Sequence, residues 1–315
     1  MNDNAKAIAV FCSHLAVGEK AQPLEPREWS VLAAALIRKG MQPAALLELD
    51  RQGLMQVLDT DEVQAERMAR LIDRSAALSF EISKYESMGV SLLTRADAAY
   101  PTKLKQKLGN VCPPLFYTAG DMTISQREFM GCVGSRTVGD ADAAFTRQIV
   151  QRTVERDFAI VSGGAKGCDT VAEEESLSCG GYAMAFLSDS MLRKLRNTAT
   201  VRAVQQGKLL LLSVARPDAG FNTGLAMMRN KYIYASSTAT VVVKTDYNRG
   251  GTWAGATENL KHRWSLTLCR QHNAYPGNKA LIEKGAVPIG EDWDGDIKAL
   301  LERKAQEEPE QLSLF

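Results

Sequence analysis

The 315-residue sequence contains little of what metal centres, secreted domains and membrane spans require. Only three histidines accompany six cysteines, and no two cysteines form a CxxC pair, which argues against a structural zinc site. The N-terminus has no long apolar stretch behind a basic start, and no segment approaches the roughly eighteen apolar residues of a membrane span. We therefore predict a cytoplasmic protein with reduced, mostly buried cysteines and with no metal and no cofactor.

Charge of one sign is not in excess either, because 38 Lys and Arg residues are balanced by 37 Asp and Glu residues. The formal net charge of +1 excludes an overall basic field, so any binding of nucleic acid must come from a local basic patch. The hydrophobic fraction of 45% is ordinary for a globular protein, and the length favours two domains over one.

Helical periodicity dominates residues 26–110, which we predict to form a small helical domain after an N-terminal segment of residues 1–25. The first predicted helix carries an apolar stripe made of Trp29, Leu32, Leu36 and Ile37. Gly40 is its predicted C-cap, and Asp61 is the predicted N-cap of a later helix.

Apolar runs that alternate with amphipathic stretches fill residues 111–295. The runs FMGCV, FAIVS, YAMAFL, LLLLS and ATVVV are continuous, as in strands that are buried on both faces of a sheet. Helical stretches of crossover length separate several of them, and such βαβ units produce parallel sheets. We therefore predict an α/β domain with a doubly wound, mostly parallel, Rossmann-like sheet. A helix and a charged tail are predicted to follow over residues 296–315.

Two glycine turns follow consecutive predicted strands, at the edge where open α/β sheets bind ligands. The first is Gly134-Ser135-Arg136, and the second contains Ser162, Gly163, Gly164, Lys166 and Gly167. Such turns offer bare backbone N–H groups beside a helix N-terminus, which suits an anion, and Arg136 and Lys166 add positive charge. Neither turn matches GxxxxGK[ST] or GxGxxG, so neither is a Walker loop or a dinucleotide fingerprint.

Three further stretches accompany these turns. RNKYI contains Arg229, Asn230 and Lys231, NRGGTWAGA contains Thr252 in a third glycine turn, and PGNKALIEKGAVPI predicts a turn, a short helix and a final strand. Taken singly, each is explained equally well by the need for small residues between strands and helices. Their order and spacing together carry more information than any one of them.

The series YPTKL, VGSR, SGGAKGCD, RNKYI, GGTWAGA and GNKALIEKGA resembles the DprA/Smf family of bacterial DNA-processing proteins. The resemblance runs from about residue 28 to 290. It implies an extended Rossmann fold that binds single-stranded DNA, delivers it to the recombinase RecA and forms a homodimer, with no established catalytic reaction. Carried over by position, the candidate phosphate contacts are Gly134, Ser135, Arg136, Ser162, Gly163, Gly164, Lys166, Gly167, Arg229, Asn230, Lys231 and Thr252.

Two features leave details of this binding surface open. The segment SDSMLRKLRN replaces family glycines with a basic cluster, which either extends a DNA path or forms a solvated helix face. Tyr232 is a candidate for stacking on a base, although a place in the core is the more common role of such a ring.

A second class of function is a nucleotide-binding sensor or an N-glycosidic hydrolase of a related Rossmann-like family. Glu258 and the acidic run 173–175 follow glycine turns and could supply a general acid. The tight GGxGTxxE spacing of such hydrolases is absent, which favours an accessory DNA-binding protein over an enzyme. The sequence does not separate recombination and repair from a third interpretation, an accessory role in phage defence.

The sequence closes on charged residues followed by Gln311, Leu312, Ser313, Leu314 and Phe315. These five residues match QL[SD]LF, a pentapeptide by which many bacterial proteins bind the replicative sliding clamp, the ring-shaped β subunit of the polymerase. In that match the glutamine supplies a directional amide and the apolar side chains fill pockets on the clamp. The alternative is that the last two side chains pack on the protein's own surface.

Overall fold

The computed structural model describes residues 1–18 and 21–307. The predicted clamp motif, Gln311 to Phe315, lies outside the described residues. The strands are β1 (Ser91–Thr94), β2 (Leu115–Ala119), β3 (Phe129–Val133), β4 (Ala159–Ser162), β5 (Ala183–Leu187), β6 (Leu209–Ser213), β7 (Ala239–Val242), β8 (Leu266–Arg270) and β9 (Val287–Ile289). They form one sheet in the order β1-β2-β6-β5-β4-β3-β7-β8-β9.

The described residues also contain fourteen α-helices. They are α1 (Asp3–Cys12), α2 (Pro26–Arg38), α3 (Arg51–Leu58), α4 (Glu62–Asp73), α5 (Ser75–Glu86), α6 (Thr102–Leu108), α7 (Asp140–Glu155), α8 (Cys168–Ser178), α9 (Met191–Lys194), α10 (Thr198–Gln205), α11 (Thr223–Ser236), α12 (Gly250–His262), α13 (Pro276–Glu283) and α14 (Ile297–Glu307). Short 3₁₀ helices add Pro43–Glu48, Gly109–Val111 and Met122–Gln126.

The sheet is mostly parallel. β3 pairs in parallel with β4 and β7, and β4–β5, β7–β8 and β8–β9 are also parallel. β1–β2 and β2–β6 are antiparallel. Every residue of β2 to β7 is buried, which explains why their sequences are continuous apolar runs. The predicted fold class, an α/β protein with a mostly parallel sheet, is confirmed.

The chain divides into two compact units, and the first comprises Met1–Ala119, Ser188–Val201 and Leu211–Asn222. The N-terminal segment contributes a helix, α1, that the sequence analysis left unassigned. Arg74 is buried and donates hydrogen bonds to the backbone carbonyls of Val10, Ser13 and Leu15. It thereby satisfies carbonyls at and just beyond the C-terminal end of α1, which lack intrahelical partners.

The apolar stripe predicted for α2 is confirmed at three of its four positions. Trp29, Leu32 and Leu36 are buried, whereas Ile37 is 77% exposed. Successive helical residues are about 100° apart around the axis, so Ile37 falls outside the arc that its neighbour Leu36 buries.

The predicted N-cap of α4 is confirmed, whereas the C-cap of α2 is Lys39, one residue before the predicted Gly40. Gly40 follows the end of α2 with a φ of 65°, a left-handed conformation that costs glycine little. The Asp61 side chain accepts a hydrogen bond from the backbone N–H of Gln64 at 2.8 Å and so caps α4.

The second unit comprises Gly120–Leu187, Arg202–Leu210 and Thr223–Phe315. Its core includes Met130 and Val241 from the sheet and Phe145 and Ile149 from α7, all fully or almost fully buried. Within this unit β3 has β4 and β5 on one side and β7, β8 and β9 on the other. The strand order therefore reverses at β3, and in open α/β sheets ligands bind at the carboxyl ends of strands where this reversal occurs.

All six cysteines are free thiols in the described residues, and five of them are buried, as predicted. The same part of the chain holds no group of three or more His, Cys, Asp and Glu side chains placed to bind a metal ion. Among the helices of residues 1–18 and 21–307, none is both long enough and apolar enough to cross a membrane.

Candidate nucleic-acid interface

Three glycine turns lie at the carboxyl ends of neighbouring parallel strands in the second unit. Turn one (residues 134–136) follows β3, turn two (162–169) follows β4, and turn three (248–252) follows β7 and opens α12. β3 pairs with both β4 and β7, so the structure brings the three turns to one edge of the sheet, at the point where the strand order reverses.

Turn one packs directly on the start of α8. The Cys168 N–H donates to the Ser135 carbonyl at 3.2 Å. A Cβ at Gly134 would overlap the Cys168 sulfur, and a Cβ at Gly167 would overlap the Ser135 carbonyl, so both positions require glycine. Burial raises the pKa of Cys168 to about 12, which leaves this thiol protonated and unreactive near neutral pH.

Turn two is organised around the carboxylate of Asp169, which is buried at the start of α8. The Gly163 and Ala165 N–H groups donate to one Asp169 oxygen, at 3.1 and 3.4 Å. The Gly164 N–H donates to the Ser162 hydroxyl at 3.3 Å. The expectation that these N–H groups would be bare is therefore wrong, because the turn supplies its own acceptors.

Arg229 lies beneath turn two. Its side chain is 7% exposed, and its guanidinium is 3.6 Å from the Asp169 carboxylate. A Cβ at Gly163 would overlap the guanidinium, so glycine at this position makes room for the arginine. We predicted Arg229 as a phosphate contact, but its burial and its ion pair suit a role in shaping turn two.

The buried acids of this turn have distinct surroundings. Burial raises the pKa of Asp169 to about 6, against the opposing effect of Arg229, and the nearby Glu173 raises it further. Glu173 is itself buried and accepts a hydrogen bond from the Ser162 hydroxyl. Asp169 is the acid that pairs with Arg229, and its burial disfavours the ionised form.

Turn three is tied to its neighbours by side chains that we predicted as phosphate contacts. The Thr252 hydroxyl donates to the Gly134 carbonyl at 3.0 Å. The Asn230 amide donates to the Gly251 carbonyl at 3.1 Å, which links α11 to turn three. Thr252 joins turn three to turn one and Asn230 joins it to α11, so both side chains have structural contacts.

Three cations of this edge are exposed: Arg136 on turn one, Lys166 on turn two and Arg249 just before α12. Lys231 is half-buried and pairs with Glu258 at 3.0 Å. Sequence reasoning missed Arg249, although its position next to the glycines that open α12 could have identified it.

A second polar cluster, also missed, holds α7 against the sheet. The buried Asp142 carboxylate accepts hydrogen bonds from Arg270 at 2.8 Å, from Lys244 at 3.1 Å and from the Tyr275 hydroxyl. Burial alone would raise the pKa of Asp142, but the hydrogen bonds from Tyr275 and Lys244 outweigh it and hold the pKa below its ordinary value. The cluster anchors the first turn of α7 to residues that follow or end β7 and β8.

Tyr232 is a core residue. It is 3% exposed, and its ring centroid is 5.6 Å from that of Phe186. The hypothesis that a base stacks on this ring is therefore wrong, and the ring packs in the core instead.

Comparison with known proteins assigns the chain to a family. The sequence profile of the family described as DNA recombination-mediator protein A matches residues 91–298, more than half of the chain. The chain belongs to this family. The match covers all three turns and α11, and it confirms the resemblance inferred from the motif series.

Individual relatives of the DNA recombination-mediator protein A family are distant. DNA processing protein DprA of Streptococcus pneumoniae is 29% identical over 37% of this chain and 38% of its own length. Protein Smf of Synechocystis is 27% identical over 66% of the chain and 54% of its own length. The chain thus spans about two fifths and about half of the length of these two relatives. DprA of Bacillus subtilis is 22% identical over 80% of the chain and 86% of its own length.

Solved structures from the same family share the fold. The crystal structure of DNA processing protein A from S. pneumoniae is 20% identical and superposes with a TM-score of 0.70, over 91% of this chain and 94% of that one. A structure of DNA processing protein A from Helicobacter pylori is 22% identical with a TM-score of 0.55, over 68% of this chain and 96% of that one. The H. pylori protein is described as having a single-stranded DNA binding mode.

Proposed function

We propose that this protein binds single-stranded DNA through the edge formed by the three glycine turns, and that it acts in recombination, repair or the handling of foreign DNA. The observation that carries the proposal is the placement of exposed Arg136 and Lys166 on adjacent glycine turns where the strand order reverses. Cations on a ridge of small residues suit the phosphate backbone, which is recognised without reading sequence.

The twelve candidate residues divide into two groups in this proposal. Arg136 and Lys166 contact phosphates, together with the accessible backbone and hydroxyl groups of Gly134, Ser135 and Gly167. The others shape the turns that carry these groups: Ser162, Gly163, Gly164, Arg229, Asn230, Lys231 and Thr252. Family membership and the description of the H. pylori relative support the choice of single-stranded DNA as ligand.

The direct test is fluorescence polarisation with labelled oligo-dT at low salt. The double variant Arg136→Ala/Lys166→Ala should lose at least about tenfold in affinity, because each phosphate contact contributes electrostatic binding energy. Arg38→Ala/Lys39→Ala is a matched control, since it removes one exposed arginine and one exposed lysine from the end of α2. Equal affinity of the two double variants, or no binding by the wild type, contradicts the proposal.

The alternative function, a nucleotide sensor or N-glycosidic hydrolase, receives less support. Glu258 is paired with Lys231, and Glu173 is buried and hydrogen-bonded by Ser162, so both acids have structural partners. Incubation with nucleoside monophosphates, followed by chromatography for free base, tests the hydrolase. Release of base by the wild type that is lost in Glu258→Gln would establish that activity.

We also propose that the protein is recruited to the replicative sliding clamp through Gln311, Leu312, Ser313, Leu314 and Phe315. The support is the five-residue sequence match alone. Replacing Leu314 and Phe315 with alanine should abolish capture by immobilised clamp and leave oligonucleotide affinity unchanged. Ser313→Asp is the matched control, because QL[SD]LF accepts aspartate there, and equal capture of all variants would refute the motif.

Two further partners are proposed from the family resemblance: the recombinase RecA and a second copy of this chain. Light scattering on the purified protein tests the homodimer, which predicts twice the chain mass. Assembly of RecA on coated single strands, with and without this protein, tests delivery to the recombinase. A monomer, or unchanged assembly kinetics, would remove the corresponding partner.

A further inference from the structure

Large apolar side chains are exposed at few places in the second unit, and they belong to two adjoining segments. Among the described residues of that unit they are Met227, Met228 and Tyr247, which are 40%, 38% and 60% exposed. The two methionines lie on α11, and Tyr247 lies between β7 and α12. A Cβ at Gly251 would meet the Met227 sulfur at 3.6 Å, so α11 and turn three share a surface.

The Tyr247 ring is held at this surface by a defined turn. Asp246 and Arg249 form an antiparallel bridge, and Asn248 between them has a φ of 51°. The ring meets the edge of Trp253 with centroids 5.2 Å apart and planes at 65°. Trp253 on α12 is 8% exposed, so the exposed Tyr247 ring packs against a buried ring.

Other aromatic rings of this edge are already engaged. Tyr232 is buried against Phe186, and Tyr275 is stacked on His272 with centroids 4.2 Å apart while its hydroxyl bonds Asp142. Tyr247 differs because most of its surface is open to solvent and an exposed cation, Arg249, follows two residues later.

We propose that Tyr247 is a stacking platform for a base of the single strand whose phosphates meet the glycine turns. This inference rests on the proposed function, and it adds the residue that binds the base. A nucleotide contains a phosphate anion and a flat base. The exposed ring of Tyr247 can stack on the base, and the exposed Arg249 nearby can pair with the phosphate. Stacking is tolerant of sequence because every base has a π-face, so the platform fits a protein that binds without reading sequence.

The experiment compares oligo-dT with an oligonucleotide of the same length in which every base is replaced by an abasic site. Tyr247→Ala should weaken binding of oligo-dT by about 5- to 100-fold and leave binding of the abasic strand unchanged within about twofold. Tyr247→Phe should retain oligo-dT affinity, because it keeps the ring. Phe80→Ala is the matched control, since Phe80 is an exposed aromatic of α5 at 72% exposure.

Four results would overturn the inference. An equal loss on both strands would mean that Tyr247 acts through the turn or the phosphate contacts, and no loss on either would mean that no base stacks on it. If the wild type bound neither strand, the proposed function itself would fail and this inference with it. Binding of both strands by the wild type with equal affinity would retain the phosphate site and remove the stacking platform.

Discussion

Turn two requires glycine at position 163 because the Arg229 side chain packs against it. Gly163 is buried, and a Cβ there would overlap the Arg229 guanidinium, which pairs with Asp169. The backbone of Gly163 is not left-handed, so a substitution tests packing and not backbone strain. We expect Gly163→Ala to lower the free energy of unfolding by about 3 kcal/mol, because it overpacks the site and displaces a buried charge.

Chemical denaturation measures this loss, and Gly220→Ala is the control. A Cβ at Gly220 would have no atom within 4 Å, and the φ of this residue is not positive. Its replacement should therefore lower the free energy of unfolding by less than about 0.5 kcal/mol. Equal stabilities of the two variants would show that Arg229 does not need the space.

Asp169 provides a pH-dependent test of the same turn. Burial raises its pKa to about 6, above its ordinary value. A group whose pKa is higher in the folded chain stabilises the fold below the unfolded pKa and loses that contribution as pH rises through the folded pKa. The free energy of unfolding of the wild type minus that of Asp169→Asn should therefore fall by on the order of 3 kcal/mol between about pH 4 and pH 7.

Urea denaturation of both proteins across this pH window gives the difference, in which the titration of other groups cancels. The amide side chain of the variant does not titrate, so the change with pH belongs to the aspartate of the wild type. A difference that rises with pH would show that Arg229 and the N–H donors of the turn dominate over burial.

At the scale of elements, most helices and strands follow from local patterns. Continuous apolar runs predicted the central strands. The N-cap Asp61 and the left-handed glycine that ends α2, Gly40, could be predicted because such positions depend on neighbouring backbone groups. Ile37 was predicted wrongly because it lies about 100° around α2 from its neighbour Leu36, outside the buried arc. α1 was missed, although the Asn2 side chain caps it by accepting from the Ala5 N–H.

Asn278 joins three elements in the second unit. It is fully buried on α13, donates to the Val243 and Arg270 carbonyls at 3.0 Å each, and accepts from the Thr245 N–H at 2.9 Å. Asn278→Ala should lower the free energy of unfolding by at least about 2 kcal/mol, because it leaves buried backbone groups without partners.

The control for this prediction is Asn273→Ala, which changes an exposed asparagine in the loop before α13. Thermal and urea unfolding of the two variants measure the contrast. A loss at Asn278 no greater than that at Asn273 would mean that water or neighbouring groups replace the three hydrogen bonds.

At the scale of the molecule, the sheet edge that carries the candidate site could be predicted, and the contacts of its residues could not. The order of motifs predicted which turns meet, because parallel strands bring their carboxyl ends together. Arg136 and Arg229 both looked like phosphate contacts in the sequence. Only the fold shows that one is exposed and the other buried on Asp169, since that difference arises from contacts between residues far apart in the chain.

The formal net charge of +1 means that binding of a polyanion depends on where the cations lie. We propose that Arg136 and Lys166 are the cations that bind the phosphates. The salt dependence of affinity measures the number of phosphate contacts. Each contact with a single strand contributes about 0.7 to the slope of log affinity against log salt concentration.

The most direct test is therefore the salt slope of oligo-dT binding for the wild type, for Arg136→Ala/Lys166→Ala and for Arg38→Ala/Lys39→Ala. We expect a negative slope for the wild type, a slope shallower by about 1.4 for the first variant, and no change for the second. Identical slopes for all three proteins would contradict the claim that these turns hold the DNA backbone.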